Sequence, residues 1–402
     1  MSRQNPERRE ALGRNEVGIN EEVDRLATTL SWGPTGVEAV LATLIPEKHS
    51  LFFDKMDVLL ARRQYEAFHD TLERRGCCVI RVRDLATEAL LRRGGVMPAK
   101  SLAELRGRII AKADTLVHKY GRGMREVGDC IAEVLVEDAA LYGEEGAIRL
   151  NAILAQVDTD FLPMANLLFG RDQSNVVGDI LLWSNMMHEI RRPEVDLWMI
   201  ATESLLANIK TTVVTGLGRL EGGDTIVHRG NCFVGVGGRS NLAGVEQIAP
   251  SVLGAGFRMF AVYHPERDAG LREHQTTMHL DTFYMPGPKN TAVVLMEEAH
   301  ERTLLEVVEN SNGVRLEPRG TFADYLLESG ADIIPLTREQ QLNYQANYVV
   351  LDEKSVMLTI YGDGYLKGEF EKRGVEVVDG DLSAITNGYG GAHCSLTPIL
   401  RI

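Results

Sequence analysis

The second half of the chain consists of short apolar runs that alternate with polar stretches and turn residues. Runs rich in β-branched residues predict strands at 211–215, 225–227, 232–236, 258–262, 292–295, 348–351 and 356–360. Stretches with helical spacing predict helices at 299–308 and 322–329, with a weaker pattern at 183–190. Strands separated by helices are typical of an α/β fold, which is the class that this pattern predicts.

The first half of the chain has a different pattern. Residues 64–74 have helical spacing, and 77–82 have the composition of a strand. Apolar residues then recur at helical spacing, and Ser101 with Glu104 forms a capping-box pattern. Because strand-like segments flank this stretch, we predict a helical insertion at about 85–157 in a domain spanning 16–402. The alternative is that it continues an α-rich first domain. Residues 1–15 are predicted to be a mobile N-terminus.

Charge and composition exclude some classes of function. The 402 residues carry a formal net charge of -14, and no basic stripe offsets that average. Phosphate binding relies on concentrated Lys and Arg, so a nucleic-acid partner is not expected. No apolar run reaches the length of a membrane span, and no secretory pattern opens the chain. These features predict a cytoplasmic protein with no membrane partner.

The five cysteines differ in their surroundings. No CxxC pair indicates a metal or redox site. Four of them lie in apolar strand-like or helical patterns, where a cysteine is usually a small packing residue: Cys77, Cys78, Cys130 and Cys232. Cys394 instead follows Gly390 and Gly391 among small residues, where a side chain can face a cleft. This setting distinguishes Cys394 from the other four cysteines.

Four polar clusters combine ionisable residues with glycine or turn residues, as active sites at strand ends often do. They are Asn166 to Asp172, Glu221 to Asp224, His279 to Thr282 and Gly390 to Cys394. Each cluster alone favours a structural role: a lone cysteine packs, an Arg-Asp pair forms a surface ion pair, and Glu-Gly-Gly makes a turn. A metal site built on His274, His279 and His300 is not expected, because their spacing matches no familiar one.

The order of the clusters is more specific than any one of them. Phe-x-Arg-Asp, Glu-Gly-Gly-Asp, His-x-Asp and a C-terminal Gly-Gly-x-x-Cys resemble the guanidino-group modifying (amidinotransferase/deiminase) superfamily, and most closely arginine deiminase. The resemblance runs from about Asn15 to Ile402. It implies a propeller-like α/β barrel of about five ββαβ units around a central site, with the helical insertion. It implies no cofactor and no metal.

The resemblance also implies catalytic roles that the chemistry supports. Hydrolysis of a guanidinium needs carboxylates to hold the cation, a strong nucleophile and a proton donor for the leaving amine. Asp172 and Asp281 would bind the guanidinium nitrogens, and Cys394 would attack the central carbon. His279 would protonate the leaving ammonia and then activate water. Glu221 would bind the guanidinium or orient His279.

Further residues are implied to hold or frame the substrate. Phe169 would pack on the flat face of the guanidinium, and Asn166 belongs to the same substrate-binding set. Asp224 is expected to be structural, fixing the turn around Glu221. 

The resemblance is weaker where a substrate carboxylate would bind. Arg191, with Arg192 as a rival, and Arg239 stand where two carboxylate-binding arginines are expected. Tyr389, five residues before Cys394, replaces a third. A tyrosine offers one neutral hydrogen bond instead of a bidentate ionic contact.

Several functions remain open on this reading. The leading hypothesis is hydrolysis of arginine to citrulline and ammonia through a cysteine thiouronium intermediate, with a small guanidino compound as the partner. The alternatives are an amidinotransferase, a deiminase of a modified arginine or another guanidino compound, and a non-catalytic guanidino-binding protein. The sequence leaves open whether the chain forms homo-oligomers.

Overall fold

A computed structural model describes residues 17–33, 36–93, 98–120, 125–156, 164–268, 275–311, 313–360 and 364–402. The predicted mobile N-terminus, 1–15, lies outside these residues. The helices are α1 Val37–Ala42, α2 Glu47–Ser50, α3 Val58–Arg74, α4 Val82–Arg92, α5 Leu102–Tyr120, α6 Arg125–Gln156, α7 Arg192–Thr202, α8 Leu242–Gly254, α9 Pro265–Asp268, α10 Met296–Glu301, α11 Phe322–Glu328, α12 Arg338–Leu342, α13 Gly364–Lys372 and α14 Ser383–Thr386.

The strands form five sheets. The first contains β1 Leu26–Ser31, β2 Cys78–Arg81 and β17 Thr397–Arg401, and the second contains β3 Ser174–Val177, β4 Ile180–Trp183 and β5 Lys210–Val213. The third contains β6 Thr225–His228, β7 Asn231–Val236, β8 Arg258–Tyr263, β11 Thr303–Asn310 and β12 Gly313–Thr321. The fourth contains β9 Tyr284–Gly287, β10 Thr291–Val294 and β13 Asp332–Pro335; the fifth contains β14 Val349–Asp352, β15 Ser355–Met357 and β16 Glu376–Val378.

The same strand connectivity recurs in all five sheets. In each sheet an antiparallel pair is followed by a strand parallel to its second member, as in β3, β4 and β5. The parallel strand follows a segment that contains at least one helix, as parallel connections require. The C-terminal strand β17 pairs antiparallel with β1, which pairs parallel with β2. The two ends of the chain thus complete one ββαβ unit together, and the mixed α/β class is confirmed.

Two helix predictions were wrong. Stretch 299–308 is helical only to Glu301, and Thr303 then opens β11, which pairs with β8 on one side and β12 on the other. The β-branched and apolar residues of this stretch are held by ladder partners on both edges, and that pairing overrides the helical spacing. Residues 183–190 are not an α-helix, because Trp183 ends β4 between partners on β3 and β5. The helix predicted at 322–329 is confirmed as α11.

The described residues from 82 to 156 are helical wherever they have regular structure, as α4, α5 and α6. A buried ion cluster links α6 to α3 and α4: Asp138 accepts from Arg62 at 2.8 Å and from Arg83 at 3.3 Å. Burial opposes ionisation of Asp138, but the charges of Arg83 and Arg62 hold its pKa below the ordinary value. The domain boundaries at 85 and 157 stay a prediction. None of the helices described has the length and apolarity of a membrane span.

Candidate active site

The loop before the first strand of each unit carries a polar residue that joins one buried cluster. Short 3-10 turns, Gly170–Asp172, Gly222–Asp224 and Leu280–Thr282, shape three of these loops. In chain order, the residues before β3, β6, β9, β14 and β17 are Asp172, Glu221, His279 with Asp281, Asn347 and Cys394. The repeated unit therefore brings together residues that are far apart in the sequence.

Cys394 is a buried free thiol with two polar neighbours. Its Sγ lies 3.6 Å from Oδ2 of Asp281 and 3.1 Å from Nδ2 of Asn347. Burial, together with the negative charges of Asp281 and Asp172, raises the pKa of the Cys394 thiol well above its ordinary value. Burial and these two charges therefore favour the neutral thiol over the thiolate.

His279 lies between two carboxylates. Its Nε2 donates to Glu221 at 2.9 Å, and its Nδ1 lies 3.5 Å from Oδ1 of Asp172. Burial disfavours the imidazolium, but the charge of Asp172 and the hydrogen bond to Glu221 raise the pKa of His279 to about 9. Burial likewise disfavours the Glu221 anion, but the hydrogen bond from His279 keeps the pKa of Glu221 below its ordinary value. The imidazole is protonated at neutral pH and can act as an acid.

Asp281 presents one oxygen to the protein and leaves the other unpaired. His393 donates to Oδ2 at 2.7 Å, and the far side of its ring faces Glu22 at 3.5 Å. Burial works against the charged form, but the hydrogen bond from His393 lowers the pKa of Asp281. Oδ1 is buried and has no hydrogen-bond partner among the described residues. A guanidinium N–H could satisfy this oxygen beside the thiol.

Asp172, the second predicted guanidinium ligand, already contacts a cation of the protein. Arg191 donates to Oδ2 of Asp172 at 2.6 Å and to Glu194 at 3.0 Å, and it lies 3.7 Å from Glu221. Its Nη2 is buried and makes no hydrogen bond to a described residue. Nη2 is therefore the one nitrogen of Arg191 that has no hydrogen bond to a described residue and could bind a substrate carboxylate. The predicted role of Arg191 is untested.

Phe169 and Asn166 frame the C-terminal loop. A β-carbon at Gly390 would overlap the Phe169 ring, so only glycine allows the aromatic ring to lie against this loop. Asn166 donates its side-chain N–H to the carbonyl of Ser50 at 2.9 Å. Asn166 thereby ties the loop at Ser50 to the site, and its predicted contact with substrate stays a prediction.

Tyr389 and Arg239 differ in their exposure. Tyr389 is half-buried in the left-handed region at φ 68°, and its ring contacts Phe53 edge-on at 5.1 Å between centroids. Arg239 is 4% exposed, and its charge helps to keep Glu221 ionised by lowering the pKa of that carboxyl. Arg239 therefore keeps a buried cation where the resemblance implies an arginine, and the Tyr389–Phe53 pair takes the place of the third implied arginine.

Asp224 connects two of the site loops, in agreement with its predicted structural role. It accepts from the hydroxyl of Ser240 at 2.7 Å and from the backbone N–H of Leu280 at 3.0 Å. Burial raises the pKa of Asp224 to about 7. The adjacent Gly223 leaves no room for a side chain, since a β-carbon there would lie 2.8 Å from Nδ1 of His279.

The loop that carries His279 is also held from outside the site, by residues that the sequence did not suggest. Arg267 and Arg302 both donate to the carbonyl of Thr277, at 3.1 and 3.2 Å. Arg302 also donates to the carbonyl of Val236, at 3.2 Å, and both arginines contact Glu298 at 2.8 Å. This buried cluster fixes the backbone two residues before His279.

One group in the described part of the chain has the geometry to hold a metal ion. It comprises Asp172, Glu221 and His279, whose ligand atoms lie within 4.8 Å of one another. The Arg191 guanidinium already occupies Asp172 and approaches Glu221, so a metal ion would have to displace a cation. The absence of a metal from this site stays a prediction.

Asn347 and Glu194 are site residues that the sequence did not suggest, and His393 was noted only as part of the cluster that ends at Cys394. Asn347 directly precedes the strand predicted at 348–351, and this position is the one signal in the sequence that could have indicated it. His393 is adjacent to Cys394, but nothing in the sequence connects it to Asp281. Glu194 lies one turn after Arg191 and also accepts from Gln173 at 3.1 Å, a contact that only the folded chain creates.

The fold and site together define a class: hydrolases that act on the carbon–nitrogen bonds of guanidino groups. The chain belongs to the arginine deiminase family, whose profile matches residues 49–401. It is 25% identical to the arginine deiminase of Mycolicibacterium gilvum (strain PYR-GCK), over 96% of this chain and 98% of the relative. It is 27% identical to the arginine deiminase of Oenococcus oeni (strain ATCC BAA-331 / PSU-1), over 96% and 97%.

Solved structures support the fold. The N-terminal domain of ArgZ, an arginine dihydrolase from Cyanobacteria, has a TM-score of 0.55 at 14% identity and covers 93% of this chain and 97% of that one. A DDAH from Pseudomonas aeruginosa in complex with citrulline has a TM-score of 0.53 at 14% identity and covers 93% and 99%. At this identity the likeness concerns the fold alone.

Proposed function

We propose that this enzyme hydrolyses free L-arginine to L-citrulline and ammonia through a covalent thiouronium on Cys394. One observation carries the proposal: the unpaired Oδ1 of Asp281 lies on the same carboxylate whose other oxygen is 3.6 Å from the Cys394 sulfur. A guanidinium bound to Oδ1 would place its central carbon beside the nucleophile. Sequence relatives named arginine deiminase, which align over almost the whole chain, support arginine as the substrate.

Substrate binding would also prepare the nucleophile. The carboxylates of Asp281 and Asp172 disfavour the thiolate in the empty site, where they raise the pKa of Cys394. A bound guanidinium brings a positive charge next to both carboxylates and offsets that effect. The thiol would then ionise with the substrate already in place, and Asp281 is the nearest carboxylate that can accept its proton.

The first half of the reaction forms the covalent intermediate. The Cys394 sulfur bonds to the guanidinium carbon, and the carbon–nitrogen bond to one terminal amino group breaks. That nitrogen takes a proton from the His279 imidazolium and departs as ammonia. A cationic thiouronium and a neutral imidazole remain.

The second half consumes water. His279 takes a proton from water as the oxygen bonds to the thiouronium carbon, and the carbon–sulfur bond then breaks. The hydroxyl proton returns to sulfur, which restores the thiol, and the ureido product is released. The proton held by Asp281 passes to ammonia, so that arginine and water give citrulline and ammonium.

Tyr389 favours a second candidate substrate. Its contact with Phe53 at 5.1 Å places an aromatic pair where the resemblance implies an arginine for a carboxylate. A guanidino compound with an uncharged or modified far end would suit this pair better than free arginine. The catalytic steps would be unchanged, because they concern only the guanidinium.

The test is a comparison of guanidino substrates. Purified enzyme is incubated with arginine, Nα-acylarginine and agmatine, and ureido product and ammonia are quantified with wild type and Cys394→Ala. We expect equal amounts of ureido product and ammonia from arginine, and none from the variant. Turnover of the modified compounds alone would support the second candidate. Turnover only with an added acceptor amine would replace hydrolysis by amidino transfer.

We also propose that the five units surround this site as a propeller-like barrel. The support is the recurring position of the site residues, one loop before the first strand of every unit. A cytoplasmic location stays a prediction from composition.

A further inference from the structure

Asn347 makes the closest side-chain contact to the Cys394 sulfur among the hydrogen bonds described. It is 1% exposed and lies two residues before β14, the first strand of its unit. Its Nδ2 donates to Sγ of Cys394 at 3.1 Å and to the carbonyl of Asp281 at 3.2 Å. Its Oδ1 accepts from the backbone N–H of Cys394 at 3.3 Å.

Backbone groups determine which end of the Asn347 amide faces the sulfur. The N–H of Cys394 can only donate, so it requires Oδ1. The carbonyl of Asp281 can only accept, so it requires Nδ2. A flipped amide would set an oxygen against that carbonyl and an N–H against another N–H. Because neither backbone group titrates, Asn347 directs an N–H at the sulfur at every pH.

The backbone of Asn347 is fixed as firmly as its amide. The Thr359 hydroxyl, which follows β15, donates to the Asn347 carbonyl and accepts from the backbone N–H of Ala392 at 2.9 Å. A β-carbon at Gly391 would lie 2.6 Å from that hydroxyl and 2.7 Å from Oδ1 of Asn347. The loop that carries Cys394 is therefore in close contact with the β14–β15 hairpin, and there is no space for a larger residue at Gly391.

Apart from Asn347, the side chains around the sulfur oppose its ionisation or do not favour it, and a backbone hydrogen bond with Gly391 also favours the thiolate. Asp281 and Asp172 raise the pKa of the thiol by their charge. Tyr65 and Tyr344 are neutral phenols whose own pKa values are raised by burial, and His393 directs Nδ1 at Asp281. A sulfur anion accepts a hydrogen bond more strongly than a thiol does, so the Asn347 N–H favours the thiolate selectively.

We propose that Asn347 is a catalytic residue that stabilises the Cys394 thiolate and thereby sets the reactivity of the nucleophile. This inference rests on the proposed function only in taking Cys394 as the nucleophile. A guanidinium on the carboxylates would promote ionisation from one side, while Asn347 would stabilise the resulting anion from the other.

The test measures the thiol without substrate. Cys394 is alkylated with iodoacetamide across a pH series, and its peptide is quantified by mass spectrometry in wild type, Asn347→Ala and Asn347→Asp. Asn347→Ala removes a hydrogen bond to a charged group, and this loss should raise the pH midpoint of alkylation by about one to two units. The alkylation midpoint of Asn347→Asp should rise further, because this variant adds a third carboxylate beside the sulfur.

Turnover distinguishes a catalytic role from a structural one. The kcat/KM of Asn347→Ala should fall about 10- to 100-fold at neutral pH and recover toward the wild-type value as pH rises. Asn231→Asp is the matched control for Asn347→Asp. The Asn231 amide also donates to backbone carbonyls, but Asn231 lies on β7. An unshifted alkylation midpoint with a loss of turnover at every pH would overturn the proposal.

A measurement on the unaltered protein covers the case in which neither variant folds. The side-chain amide resonances of Asn347 in 15N-labelled protein should shift with the same midpoint as the alkylation of Cys394. The proposal would be overturned if the chemical shifts of the Asn347 amide stayed constant across the pH range in which Cys394 ionises. Both measurements omit substrate, so a failure to find guanidino hydrolysis would leave their result intact.

Discussion

Replacement of Asp281 by asparagine should change the nucleophile and the turnover in opposite directions. The carboxylate lies 3.6 Å from the Cys394 sulfur and raises the pKa of the thiol. Two unit charges at that distance repel by about 4–5 kcal/mol at an effective dielectric constant of 20, roughly a thousandfold in the ionisation constant. The hydrogen bond from His393 offsets part of this charge, so we expect at least about a tenfold faster alkylation of Cys394 at pH 7.

Turnover of the same variant should fall by at least about 100-fold, because the substrate loses a charge-assisted contact. Alkylation by iodoacetamide, followed on the Cys394 peptide, measures the first effect, and ureido product measures the second. Asp332→Asn is the control, since that carboxylate is exposed and pairs with Arg373. Alkylation that is unchanged or slower in Asp281→Asn would refute the electrostatic account of the thiol.

Three further outcomes follow from the contacts of the site. Glu221→Gln should move the alkaline limb of the kcat profile to lower pH by about one to two units, because its hydrogen bond helps hold the pKa of His279 near 9; an unmoved limb would contradict this. Gly390→Ala should lower the free energy of unfolding in urea by about 1–3 kcal/mol, because the new methyl group overlaps the Phe169 ring. Gly368→Ala, its control, lies in open space on α13 and should raise that free energy by about 0.5–1 kcal/mol. Arg302→Lys should lower the free energy of unfolding by about 1–3 kcal/mol and also lower kcat, because one ammonium cannot reach Val236, Thr277 and Glu298 together. Arg319→Lys, at an exposed arginine, should change neither quantity.

The sequence contained enough information to place the chemistry in four of the five units. Asp172, Glu221, His279 and Cys394 lie in the four ordered motifs that carry the family resemblance, so they could be singled out although the strands β3, β9 and β17 were not predicted. Asn347 lies in none of these motifs, and a neutral amide before a predicted strand does not by itself indicate a site. Its role depends on the N–H of Cys394 and the carbonyl of Asp281, which only the tertiary structure brings to it.

The fold was predictable where local pattern and tertiary pairing agree. The helix at Phe322–Glu328 begins with a capping box of Thr321 and Asp324, and the structure keeps it. Residues 299–308 were misassigned because their helical spacing is overridden by pairing with β8 on one edge and β12 on the other, which no local pattern shows. The pairing of β17 with β1 joins the two ends of the described chain, and no local pattern indicates that contact.

The most direct measurement concerns the covalent bond that Cys394 is proposed to form to the substrate carbon. Arginine turnover is quenched with acid in the steady state, and the Cys394 peptide is examined by mass spectrometry. This covalent role predicts an adduct on Cys394 equal in mass to arginine less ammonia; Cys394→Ser should show neither the adduct nor turnover. Citrulline formation by Cys394→Ser, or an adduct on Cys77, Cys78, Cys130 or Cys232 instead, would contradict it.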